Sequence, residues 1–139
     1  MTDRVPGFAS PSELPVPAGY SHVVRIPAGE LVWTSGQVGV AADGSVPDSL
    51  EGQTRLAFEN VGRALAAAGA AWSEVVKLTF YLVAVDELAT VRRVRDEYVD
   101  TSTPPTSSLV QVAGLVRPDL LIEVEAVAWT SSAAPSDAP

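Results

Sequence analysis

Between residues 74 and 85 apolar and polar side chains alternate, with Leu78, Phe80 and Leu82 on one side and Lys77, Thr79 and Tyr81 on the other. A period of two belongs to a strand, and the Val, Phe, Tyr and Leu content suits a pleated, half-buried surface. The same alternation returns near the C-terminus, where Ile122, Val124, Ala126 and Ala128 share one face and Glu123 and Glu125 the other. Helical spacing takes over at Ala57, Val61, Ala64, Leu65 and Ala68. Pro47 precedes this stretch, Asp48 is placed to cap it, and Glu51 three residues on completes a capping box. Gly69 is placed to end it as a left-handed cap. Gly62, in its interior, costs about 1 kcal/mol against Ala and predicts a close approach to a sheet. A second helix starts from a cap at Asp86, with Leu88, Val91, Val94 and Tyr98 on one stripe and Arg92, Arg93, Asp96 and Glu97 outside; residues 101–105 break it.

Two shorter β-favouring runs, residues 22–26 and 31–34, flank Pro27-Ala28-Gly29-Glu30 and predict a hairpin. Residues 108–115 and 120–129, on either side of Val116-Arg117-Pro118-Asp119, predict a closing hairpin. Residues 1–18 carry four prolines and no periodicity, which predicts a loose or laid-on arm. Residues 19–129 form one domain, and the small, polar, proline-capped residues 130–139 a disordered tail. The order hairpin, helix, strand, helix, hairpin predicts an α/β sheet with both helices on one face. The other face stays partly apolar, which predicts association between copies of the chain.

Composition sharpens this picture. Hydrophobic residues make up 47% of the chain and charged residues 19%, below the usual quarter or so, which excludes disorder for the body. Seventeen acidic residues against nine basic leave a net charge of −8. Such a globule repels phosphate backbones, so no nucleic-acid partner is expected. Without cysteine there is no disulfide, thiolate nucleophile or cysteine-based metal site. No run approaches the roughly 18 apolar residues of a membrane span, and residues 1–6 lack the basic-then-apolar order of a secretory leader. A cytoplasmic protein without a membrane partner is the expectation.

Motifs for nucleotide cradles, serine-hydrolase elbows and zinc helices are absent, and Gly36 and Gly39 bracket Gln37-Val38 without completing a phosphate loop. His22, the one histidine, has no Ser or Asp arranged around it in a known signature and is assigned a structural or surface role. Glu123 and Glu125 are more informative. On a solvated sheet face they are ordinary surface carboxylates. Under a neighbouring subunit, one of them becomes partly desolvated and suited to moving protons near neutral pH. The second helix packs Arg92, Arg93 and Arg95 into four positions. Arg92–Asp96 and Arg93–Glu97 have ion-pair spacing. Arg95 is the one placed to reach past the helix edge, where an anionic substrate needs a cation.

Several segments, in order, resemble the YjgF/RidA family, also called endoribonuclease L-PSP-like. They are Leu31-Val32-Trp33-Thr34-Ser35-Gly36-Gln37, then Gln53-Thr54 with Phe58-Glu59-Asn60, then Val75-Val76-Lys77-Leu78-Thr79. Gln111-Val112-Ala113-Gly114-Leu115 and Ile122-Glu123-Val124-Glu125-Ala126-Val127-Ala128 complete the series. The resemblance covers residues 20–129 and implies a chorismate-mutase-like α/β fold, a mixed sheet with two helices on one face. It also implies a homotrimer whose sheets face inward, with clefts between neighbours. Active members hydrolyse reactive enamines and imines, such as 2-aminoacrylate, without a cofactor.

By the same resemblance Tyr20 and Ser35 contact substrate and Glu123 is the catalytic carboxylate that helps place water. The arginine that binds substrate carboxylate in active members does not carry over: Ser107 stands in its place within Pro105-Thr106-Ser107-Ser108. A bidentate guanidinium clamp is worth about 1.5–3 kcal/mol in binding, whereas Ser107 offers one neutral hydrogen bond. Arg92 stands where those members usually have Asn. The expectations are a Rid-type hydrolase for a different C–N or enol-like substrate, a trimeric small-molecule binder without catalysis, or a deaminase in which Arg92 replaces the missing cation. An RNA-cleaving activity has no basic groove to support it.

Overall fold

The computed structural model describes residues 4–131. In chain order the elements are strands β1 (Gly7–Ala9), β2 (Val23–Arg25), β3 (Glu30–Trp33) and β4 (Gln37–Val38), helix α1 (Leu50–Ala67) and strand β5 (Val75–Leu82). Helix α2 (Leu88–Arg95) and strands β6 (Thr106–Gln111) and β7 (Ile122–Thr130) follow. The main sheet runs β3-β7-β5-β6, with β4 also on β7. β5 is antiparallel to β7 and parallel to β6, and α2 makes the crossover that parallel neighbours require.

The period-two reading of β5 holds: Leu78, Phe80 and Leu82 are buried, while Lys77, Thr79 and Tyr81 are half-buried. Ile122, Val124, Ala126 and Ala128 of β7 face the same core, joined by Phe58, Val61 and Leu65 of α1 and Val91 of α2. Both helices therefore cover one face of the sheet.

Neither expected hairpin forms. β2 pairs with β1, and β3 pairs with β7, Leu31 opposite Trp129 and Trp33 opposite Val127. The nine-residue β7 gives β3 a longer ladder than the three-residue β2 would, and the indole N–H of Trp129 donates to the Pro27 carbonyl in the intended turn. Likewise β6 and β7 do not meet, because β5 lies between them. The proline-rich arm contributes β1, whose Phe8 packs with Val24 on Val76, Val127 and Trp129, on the sheet face away from the helices. Phe8 is the arm's single large aromatic, and burying it holds this ribbon on the sheet. Thr130 closes β7, opposite Glu30, and Ser131 follows it exposed; residues 132–139 of the expected tail lie outside the described residues.

The cap of α1 is Ser49 rather than Asp48, its Oγ accepting from Gly52 N–H at 3.0 Å. Glu51 is not a capping-box partner. It binds Arg55 and, at 2.9 Å, Arg93 of α2. Gly69 has φ +75°, the left-handed geometry expected just past the helix end. Gly62 faces the Trp72 indole rather than a sheet; Trp72 stacks on Phe58 with ring centroids 5.1 Å apart. α2 starts from Glu87, one residue after the expected Asp86, without a side-chain cap. Its outer arginines also pair otherwise than spacing predicts: Arg55 of α1 takes Glu97, Arg93 takes Glu51, and Arg95 takes Asp96. Arg92 makes no ion pair among the described residues.

Candidate functional site

Two prolines, Pro104 and Pro105, precede β6 and present carbonyls to the strap that leads into β2. Ser21 takes both, donating its N–H to Pro105 at 3.1 Å and its hydroxyl to Pro104 at 2.6 Å. Gly19 sits in this strap at φ +79°, and a Cβ there would overlap the Arg95 guanidinium. Arg95 is accordingly 8% exposed, donating from Nε to Asp96 at 2.9 Å and from Nη1 to the Ala18 carbonyl at 3.3 Å.

Beneath the strap lies a cavity of about 280 Å³. Tyr20 enters it from the strap, Ser107 from β6, and Arg92 and Arg95 from α2. Phe80, Val91 and Leu109 supply the apolar wall. Three of the residues singled out in the sequence, Tyr20, Ser107 and Arg92, thus meet in one place. Arg95 joins them by turning under Gly19 instead of reaching past the helix edge. It stands four residues after Val91, on the flank of the buried stripe, and that was the available signal. The apolar wall was legible only as core, because periodicity does not tell which core positions border a void.

Glu123 and Ser35 are elsewhere. Glu123 lies opposite Tyr81 and Val38, on the sheet face away from the helices, whereas Ser107 aligns with Leu78 on the helix side. Ser107 lines the cavity beneath the strap and Glu123 does not. Ser35 is exposed, and the next residue, Gly36, abuts the Glu123 carboxylate so closely that a Cβ would overlap it. Beside Glu123, Tyr81 donates its hydroxyl to Glu125 at 2.6 Å. That bond to a carboxylate, with some desolvation, holds the phenol above its ordinary pKa. Lys77 donates to Ser108 at 2.8 Å. His22 has a structural place: Nε2–H donates to the Pro15 carbonyl at 2.8 Å, and its ring meets Tyr20 edge-on at 5.3 Å. No group of three or more His, Asp or Glu is arranged for a metal among the described residues, and no helix there is long and apolar enough to cross a membrane.

Chemically, the cavity offers two guanidiniums, a phenol and a hydroxyl, which suits an anion, and its wall contains no carboxylate. The proton-handling candidate sits on the other face.

Residues 11–130 match the family model described as Endoribonuclease L-PSP. TdcF of Escherichia coli strain K12 is 34% identical over 134 residues, 94% of this chain and 95% of that protein. The 2-iminobutanoate/2-iminopropanoate deaminase of Salmonella typhimurium is 34% identical over 110 residues, 77% of this chain and 85% of that one. Among solved structures, the Rid-family protein YyfB of Yersinia pestis aligns with a TM-score of 0.78 at 28% identity, over 90% of this chain and 98% of that one. TdcF of E. coli with bound serine aligns at 0.67 and 34% identity, over 88% and 94%. With nearly its whole described length matched in both sequence and fold, the chain belongs to the endoribonuclease L-PSP family, the YjgF/RidA group.

Proposed function

We propose that this protein hydrolyses a reactive enamine or imine at clefts between subunits of a homotrimer. Tyr20 and Ser107 of one copy hold the substrate there, and Glu123 of the next orders the attacking water. The observation that carries this reading is the division of the site. The cavity with Tyr20, Ser107 and Arg92 lies beside the outermost strand, and Glu123 occupies the opposite sheet face. A second copy laid against that face would join the two halves. The same face exposes Leu31 and Trp33 of β3, the latter 70% exposed, which is costly to leave in water and fits burial against a neighbour. A relative named for imine deamination and another solved with serine bound support a small amino-acid-derived ligand. Water addition across C=N needs a placed general base rather than a metal, and a positioned carboxylate supplies it.

The decisive experiment is direct hydrolysis of 2-aminoacrylate and of a panel of other imines, with and without a carboxylate, followed as carbonyl product and ammonia release. Turnover that Glu123→Gln lowers about 100-fold or more, with an unchanged melting temperature, supports the reading. No turnover above the buffer rate overturns it. A second reading is favoured by the cavity being complete as a binding site within one chain and free of carboxylates: a non-catalytic small-molecule binder. It predicts ligand-induced thermal stabilisation without turnover of any imine.

A further inference from the structure

Tyr20 brings a phenol to the cavity, yet nothing in the chain holds its hydroxyl: among the described residues only Tyr81 has a hydrogen-bonded phenol. Where the Tyr20 hydroxyl points is therefore set by the backbone beneath it and by the ring beside it. The backbone is pinned on both sides. Arg95 donates to the Ala18 carbonyl at 3.3 Å, and Ser21 donates to Pro104 and Pro105. On a fixed backbone the side chain can still turn about χ1 and χ2. The ring beside it is His22, with centroids 5.3 Å apart and 81° between the planes. We propose that His22 is a positioning residue, holding the Tyr20 phenol over the cavity and so aiming its hydroxyl at the ligand. The inference deepens the proposed function and takes from it the contact between Tyr20 and substrate.

The imidazole is itself held. Its Nε2 lies 2.8 Å from the Pro15 carbonyl, and the His22 amide donates to Ser10 Oγ at 3.2 Å. A carbonyl only accepts, so the bond requires the proton on Nε2 and fixes the plane of the ring. That bond reaches back seven positions along the chain, so the strap is a loop tied at its base by His22, with Tyr20 inside it. Pro15 and Pro17 stiffen its first half, each with φ fixed near about −65°. Gly19, at φ +79°, turns its second half. An aromatic pair at this separation favours an edge-to-face arrangement. With the imidazole fixed, one setting of the phenol is therefore preferred before any ligand arrives, and less freedom is lost on binding. His22 does not line the cavity, so it reaches the ligand only through Tyr20.

Fluorine NMR of the full chain labelled with 3-fluorotyrosine reads its three tyrosines separately, each assigned with a Tyr→Phe variant. His22→Ala should lengthen the transverse relaxation of the Tyr20 fluorine, as its ring gains motion. Tyr81 and Tyr98 should keep theirs, which shows the fold intact. His22→Phe, which leaves a ring beside Tyr20, should recover part of the change. Kinetics complete the test as a double-mutant cycle. His22→Ala should lower kcat/KM about 10-fold or more in the wild type, but by no more than about 2-fold in a Tyr20→Phe chain, where the hydroxyl it places is already gone. A histidine that served only the stability of the strap would lower both chains alike. Unchanged Tyr20 relaxation in His22→Ala, or an equal kinetic loss in both chains, overturns the inference. Full turnover in Tyr20→Phe removes the phenol from the reaction, and the role given to His22 goes with it. A wild type that hydrolyses no imine defeats the proposed reaction alone: loosening of Tyr20 in His22→Ala still leaves His22 as the residue that holds it.

Discussion

Gly36 lets the Glu123 carboxylate lie directly against the chain between β3 and β4. What a Cβ there would meet is the far end of the Glu123 side chain, Cγ to Oε1. The carboxylate can swing away at little cost, so Gly36→Ala should keep the wild-type melting temperature while imine turnover falls about 10- to 100-fold through misplacement of the base. Gly39 is the contrasting case. A Cβ there meets the backbone of Gln53 in α1 at 2.6–2.7 Å, which cannot step aside. Gly39→Ala should therefore destabilise the fold by about 1–3 kcal/mol, read by urea denaturation. Tyr81 gives a spectroscopic test of the open face. Its bond to Glu125 favours the protonated phenol, so its contribution to stability is complete below the pKa of an unfolded tyrosine and is lost as pH rises through the higher folded value. Ultraviolet titration should show two late-ionising tyrosines, Tyr81 and the partly desolvated Tyr98, of which Glu125→Gln brings only Tyr81 back toward the ordinary range. Single residues were also where the sequence spoke most clearly about the site. Tyr20, Ser107 and Arg92 do meet, because each belongs to a segment whose identity was legible. Arg95 was expected to reach past the helix edge, because nothing in the local pattern announces a glycine strap folding over it.

At the level of elements, the contact between α1 and α2 is ionic at its rim: Glu51 with Arg93 and Arg55, and Glu97 with Arg55. Hydrogen bonds, from Arg93 to Glu51 and from Arg55 to Glu97, hold both carboxyls below their usual range. A depressed carboxyl contributes stability that is present above its unfolded pKa and fades as pH falls through the folded value. Acid titration of the melting temperature should thus show a loss below about pH 4.5 that is smaller in Arg55→Met and in high salt; the pairs are exposed, so the effect is modest. Buried Gln53 is a stronger tie. It donates to the carbonyls of Pro47 and Asp119 and accepts from Leu121 N–H at 2.8 Å, joining α1 to the entry of β7. Gln53→Ala strands those groups and should cost about 2–3 kcal/mol in urea unfolding. The helices and the two long strands were legible because each keeps its period over many residues. Pairing was not. Residues 22–26 and 31–34 look like a hairpin from their turn alone, yet β3 goes to β7, ninety-odd positions away, where the ladder is longer. Local signals define strands, and competition among partners across the whole chain decides their neighbours.

For the molecule as a whole, the sheet has a helix-covered face and a face shielded only at one end by the β1–β2 ribbon. On the proposed assembly, sedimentation equilibrium should give three times the 14.5 kDa chain mass. Trp33→Asp, placing a charge on a ring that is 70% exposed in the single chain, should yield monomers that keep their fold and lose turnover. The apolar exposure of the uncovered sheet face was foreseeable from low charge and an apolar surplus, whereas placing Glu123 on that face and Ser107 on the other needed the register. That division has a genetic corollary. A chain crippled at Ser107 or Arg92 still carries a sound Glu123, and a Glu123→Gln chain still carries a sound cavity. Two dead variants, co-refolded in equal amounts, should rescue each other: about one cleft in four then draws both of its contributions from intact sources, while either variant refolded alone stays silent.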